Sequence, residues 1–139
     1  AEKAEDKFAL AVQLVEKAAE YGVTPERMHV DPLVLALSAV GNSAQEFCKA
    51  IRMIKEKYPT INVTAALSNI SYGMPARKVV NMSFLVMAME AGLDSMIADP
   101  LNKDSMGVMY ATGALLEQDP YCRKYNKAYR KGIFGTKKK

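Results

Sequence analysis

Apolar positions follow two rhythms along the chain. In the longer stretches they recur every three to four residues, the spacing of one helix face, and between these lie short apolar runs of strand length. Residues 2–21 place Phe8, Val12, Val15 and Ala19 on one stripe, and Gly22 follows where a helix C-cap often sits. Thr24-Pro25-Glu26 reads as a brief turn, after which a first strand ends at Asp31-Pro32. Ser43 and Glu46 form a capping-box pattern ahead of Phe47, Ile51, Ile54 and Tyr58, and Pro59 closes that helix. A second strand runs to about Asn69. Pro75 suits a helix start, Val79 through Ala91 supplies an apolar face, and Gly92 fits a second C-cap. A third strand ends at Asp99-Pro100, a helix covers about 104–117, and Asp119-Pro120 reads as the cap of a last helix striped by Tyr121, Tyr125 and Tyr129.

The order helix, strand, helix, strand, helix, strand, helix, helix calls for an α/β fold with parallel strands joined by crossovers. Each run ends in a polar residue, and Asp31, Asn69 and Asp99 stand 38 and 30 positions apart, about one strand plus its returning helix. Such spacing brings all three to the carboxyl edge of the sheet, where α/β folds bind ligands. An eight-stranded barrel needs about 250 residues. Three strands, in a chain that opens without Met and inside a helix, fit the C-terminal part of a TIM (β/α)8 barrel, about three βα units. A free-standing three-stranded layer is the alternative.

Half of the 139 residues are hydrophobic, enough for one domain with a core. No run approaches the roughly 20 apolar residues of a membrane span. Cys48 and Cys122 stand far apart without metal-ligand spacing, and no secretory leader is visible, so the expected setting is a reducing cytoplasm, with no metal site and no membrane. The net charge of +4 is uneven: residues 123–139 hold eight Lys or Arg and no acid, leaving 11 basic against 15 acidic residues before them. Residues 119–139 thus read as a terminal helix with a solvated basic tail. The i, i+4 tyrosines suit packing on a neighbouring helix rather than stacking on bases, so nucleic acid is not an expected partner.

Three segments carry a resemblance: Met28-His29-Val30-Asp31-Pro32-Leu33-Val34-Leu35, Leu67-Ser68-Asn69-Ile70-Ser71-Tyr72-Gly73-Met74-Pro75-Ala76-Arg77-Lys78, and Phe84-Leu85-Val86-Met87-Ala88-Met89-Glu90-Ala91-Gly92-Leu93-Asp94. With them the chain resembles the methyltetrahydrofolate:corrinoid protein methyltransferases of the pterin-binding barrel superfamily, over nearly its whole length. The resemblance implies methyl transfer between N5 of methyltetrahydrofolate and the cobalt of a corrinoid carried by a partner protein. It implies that Asp31 binds the pterin ring, whose amino group and ring N–H are donors one carboxylate can accept together. Asn69 matches the asparagine that faces N5 and meets the charge developing there. Arg77 matches an arginine that helps order the site, while Ser68 and Ser71 support the Asn69 amide. Asp99 inherits no role.

The loop at residues 71–75 departs from the asparagine-rich version of some relatives and leaves the corrinoid partner open. Within the superfamily, a dihydropteroate synthase-like enzyme is the alternative, weakened because neither its Ser-Arg-Lys nor its Arg-x-His element stands at the corresponding places. His29 then reads as structural, and the nine methionines as adaptable core. A reading of another class is a non-catalytic barrel fragment or interaction module, since strands supplying further pterin contacts are absent. Its exposed edges then need a missing N-terminal half, a companion chain, or the homodimer common in the family.

Overall fold

Helix α1 (Ala4–Ala19) leads through a 3-10 turn (Pro25–Arg27) into strand β1 (His29–Val30), and helix α2 (Ser43–Lys57) returns the chain to strand β2 (Asn62–Ala65). A second 3-10 turn (Leu67–Ser71), helix α3 (Arg77–Ala91) and strand β3 (Ser95–Met96) complete a first compact unit ending at residue 97. The computed structural model describes residues 1–136, so Lys137 to Lys139 of the basic tail lie outside the described residues. The strands form a parallel sheet in the order β1-β2-β3. His29 lies opposite Asn62 and Val30 opposite Val63; Thr64 lies opposite Ser95 and Ala65 opposite Met96. This is the mixed α/β architecture expected, with every expected strand in place but shorter.

Alternation along the strands sorts the two faces. Val63 and Ala65 are fully buried with Phe47, Ile51 and Ile54 of α2, whereas Asn62 and Thr64 on the other face are half-buried and His29 is exposed. The Phe47 and Phe84 rings meet at 5.5 Å between centroids, joining α2 to α3. Gly92, at φ +114, caps α3 in a left-handed conformation that costs glycine little.

Three local expectations need correcting. The buried stripe of α1 is Ala4, Lys7, Ala11 and Val15, not Phe8, Val12, Val15 and Ala19, and of the four expected only Val15 lies on it. The small alanines let α1 lie close on α2, while Phe8 stays half-buried and Ala19 exposed. The Ser43–Glu46 capping box does not form, because the helix is capped at Asn42 and Ser43 becomes its first residue. Glu46 instead accepts the backbone N–H of Ala4 at 2.6 Å, satisfying an orphan donor at the start of α1. Helix α3 begins at Arg77 rather than Pro75, since Ala76 sits at φ 49, ψ 41, outside the right-handed helical region.

The second unit, from residue 98 onward, holds helix α4 (Lys103–Leu115), a 3-10 turn (Pro120–Cys122) and helix α5 (Arg123–Arg130). Its core is aromatic. Phe134 meets Tyr125 at 4.8 Å, Tyr110 at 5.9 Å and Tyr129 at 6.0 Å. The expected tyrosine stripe is therefore two residues long: Tyr121 precedes α5 at φ 58, is 86% exposed, and faces the Arg123 guanidinium. Asp119 does cap α5, its carboxylate accepting the N–H groups of Lys124 and Tyr125 at 2.8 and 2.9 Å. Of the nine methionines only Met106 is buried; the other eight are half-buried, so they line the margins of the core rather than fill it. No described helix is long and apolar enough to cross a membrane.

Candidate functional site

Asn69 does not end a strand. Strand β2 stops at Ala65, and the chain tightens into the 3-10 turn Leu67–Ser71. Residues three apart share a face of such a turn, so Leu67 and Ile70 enter the core while Ser68 and Asn69 remain exposed. Among the described residues the Asn69 carboxamide has no hydrogen-bond partner, leaving its donors and its acceptor available. Arg77, at the start of α3, holds the turn from the other side: its Nε donates to Ser71 Oγ at 3.0 Å and its Nη2 to the Ser68 carbonyl at 2.9 Å. Ser71, fully buried, donates in turn to the same Ser68 carbonyl at 3.2 Å. Ser68 and Ser71 thus shape the turn without reaching the Asn69 amide.

Asp31 follows β1 at the same edge and is exposed. Its Oδ1 accepts the Leu33 N–H at 2.8 Å, closing an Asx turn across Pro32. Leu33 sits at φ 64, a left-handed conformation that costs a residue with a Cβ about 1–2 kcal/mol. Beneath the turn lies Lys7, only 5% exposed, whose ammonium donates at 2.7 Å to both the Pro32 and the Leu33 carbonyls. Burial pushes the Lys7 pKa down, against the attraction of the Asp31 and Glu46 carboxylates.

The two turns are fastened together. The Leu37 N–H donates to the Ile70 carbonyl at 2.9 Å, and Ser38 Oγ donates to the Tyr72 carbonyl at 2.7 Å. Adjacent parallel strands therefore present the Asp31 carboxylate and the Asn69 amide on linked loops. Asp99 lies in the second unit and repeats the Asp-Pro-Leu arrangement, its Oδ1 accepting the Leu101 N–H at 2.9 Å. Sequence reasoning missed Lys7 and Ser38. For Lys7 the sequence pointed the other way, because the larger apolar side chains Phe8 and Val12 marked a different face of α1 from the Ala4, Lys7, Ala11 and Val15 face that is buried. For Ser38 there was no signal.

No protein-family model matches the chain. It is 47% identical over 131 residues to the methylcorrinoid:tetrahydrofolate methyltransferase of Eubacterium limosum, which is 94% of this chain and 48% of that protein. The matched stretch belongs to the methyltetrahydrofolate:corrinoid protein methyltransferase family. Methionine synthase of Mycobacterium tuberculosis is 34% identical over 104 residues, 70% of this chain and 9% of that protein. Methionine synthase of Mycobacterium leprae is 34% identical over 100 residues, 67% of this chain and 8% of that protein. The chain thus spans about half the length of the methyltransferase relative and a small part of the methionine synthases.

Proposed function

We propose that the protein carrying this chain moves a methyl group between N5 of a folate and the cobalt of a corrinoid held by a partner protein. The observation that carries this reading is the Asn69 carboxamide, without a partner among the described residues, on a turn clamped by Arg77 and tied to the turn that bears Asp31. Asp31 accepts the amino group and ring N–H of the pterin; its Oδ1, engaged by Leu33, keeps a second lone pair, and Oδ2 adds more. Asn69 meets N5. A carboxamide both accepts and donates, so it suits N5–H in tetrahydrofolate and the N5 lone pair in the methylated form. The relative's name puts the methyl on the corrinoid at the start, and in that direction N5 gains the methyl and releases its proton to solvent. Asn69 orients N5 without itself titrating.

The chain would supply the C-terminal three βα units of a TIM barrel. The rest of the barrel covers a cleft of ≈ 170 Å³ between α1 and the turn after β1, lined by Lys7, Leu10, Leu14 and Leu33. Leu10 and Leu14 are 50% and 57% exposed there, which is the specific support for the second reading, an interaction module completed by another polypeptide. A cytoplasmic homodimer is the assembly this family reading favours.

The test is Asn69→Ala in the full-length enzyme. Methyl transfer falls about 10²–10³-fold, as for loss of one oriented donor, while methyltetrahydrofolate still binds by calorimetry. An unchanged transfer rate removes Asn69 from the mechanism, and a chain that binds no folate favours the interaction module.

A further inference from the structure

We infer that Lys7 is a positioning residue for pterin binding: its buried ammonium holds the Asp31-Pro32-Leu33 turn in the shape that presents the Asp31 carboxylate. The inference rests on the pterin role proposed for Asp31 and adds a residue on a different element, the first turns of α1, to that site.

Three observations converge on it. Lys7 is 5% exposed and lies on the face of α1 that otherwise carries Ala4, Ala11 and Val15, a place where a cation is costly unless it is matched. Its Nζ spends its donors on two successive carbonyls, Pro32 and Leu33, both at 2.7 Å, rather than on a carboxylate in an ion pair. A donor shared by successive carbonyls fixes the orientation of both peptide planes. The residue between those planes, Leu33, is the one at φ 64, where a leucine does not rest unaided.

The consequence reaches Asp31 through the backbone. Its Oδ1 accepts the Leu33 N–H at 2.8 Å, so the direction of that N–H sets the rotamer of the carboxylate. If Leu33 relaxes to negative φ, the N–H swings away and Asp31 is free to turn toward solvent. The second Asp-Pro-Leu turn supplies a contrast: at Asp99 the Asx bond forms, but Leu101 is not among the residues of positive φ, and among the described residues no lysine bridges its carbonyls. The Asx bond alone therefore does not impose the left-handed leucine. The Lys7 ammonium on the Pro32 and Leu33 carbonyls is a contact that the first turn has and, among the described residues, the second lacks.

The experiment uses the full-length enzyme and measures methyltetrahydrofolate affinity by calorimetry and methyl-transfer turnover at saturating folate. Asp31→Ala abolishes folate binding. Lys7→Met weakens it about tenfold while saturated turnover stays within about threefold of the parent, because Asn69 is untouched. Adding Leu33→Gly to Lys7→Met restores affinity to within about threefold, since glycine takes φ 64 without help. Rescue by a glycine at one turn position is not expected if Lys7 only stabilises α1. Parent-like affinity in Lys7→Met, with Asp31→Ala inactive in binding, overturns the role of Lys7 and leaves that of Asp31 standing. Parent-like affinity in Asp31→Ala overturns both. Should Lys7→Met fail to fold, the double variant decides: folded with near-parent affinity it supports the inference, and unfolded or still weak it overturns it.

Discussion

Arg77 and Ser71 form the hinge pin of the Asn69 turn: the guanidinium Nε donates to a hydroxyl that is itself fully buried and already donating to the Ser68 carbonyl. The charge at the start of α3 thereby reaches across its own N-terminus to a turn six residues earlier, and a second N–H takes the Ser68 carbonyl directly. Arg77→Leu is expected to lower stability by about 1 kcal/mol and to reduce methyl transfer more than folate affinity, read from urea unfolding and steady-state kinetics. Arg77→Lys recovers only part of the loss, because an ammonium lacks the fork that spans two acceptors.

The α2–α3 joint depends on ring contact. Phe47 is fully buried and meets Phe84 at 5.5 Å, so Phe47→Ala is expected to cost about 3–5 kcal/mol. Denaturant unfolding of the full-length protein checks it. A loss below about 1 kcal/mol would mean that the surrounding side chains collapse into the space.

The two cysteines should separate cleanly in a thiol-labelling time course. Burial pushes the Cys48 thiol up, with Glu90 adding to it and Arg52 opposing, and Cys48 is 1% exposed, whereas Cys122 is exposed. A maleimide reagent at neutral pH modifies Cys122 first. Cys48 reacts only as the fold opens, so its labelling, followed by mass spectrometry of its own peptide, accelerates with denaturant while that of Cys122 does not.

Acid sensitivity of the second unit should trace to Asp119. Burial opposes its ionisation, but the N–H groups of Lys124 and Tyr125 and the charge of Lys124 outweigh it, and its carboxyl lies below the usual carboxylate range. A carboxyl whose pKa is lower in the folded than in the unfolded chain stabilises fully above the unfolded value. That contribution is lost as the pH falls through the folded value. Asp119→Asn therefore lowers the melting temperature at neutral pH by a few degrees, and the difference from the parent disappears in acid. Thermal melts by circular dichroism across pH read this directly.

How far the sequence could be read depended on where the deciding contact lay. Order and type of the long elements were legible because their signals are local: the glycine after α3, the proline after α2, the Asp-Pro after β1. Strand lengths were not, since the apolar run from Val63 to Leu67 serves β2 and then the buried face of a 3-10 turn with the same residue types. The capping box failed for a long-range reason: Glu46 is drawn to the Ala4 N–H, 42 residues away. The same holds at the candidate site. Asp31, Asn69 and Arg77 could be named from their motifs, but the lysine under the first turn could only be weighed once α1 was seen to turn its alanine face inward.

The stitch between the two loops has a further consequence. With Leu37 bonded to Ile70 and Ser38 to Tyr72, the segments that follow β1 and β2 share their motions instead of sampling shapes separately. The pterin proposed to settle on both would meet a surface assembled beforehand, so association surrenders little chain freedom and the recognition energy is not consumed in ordering loops. Such a surface also discriminates by outline: a ring too broad for it cannot recruit one loop by bending it away from the other.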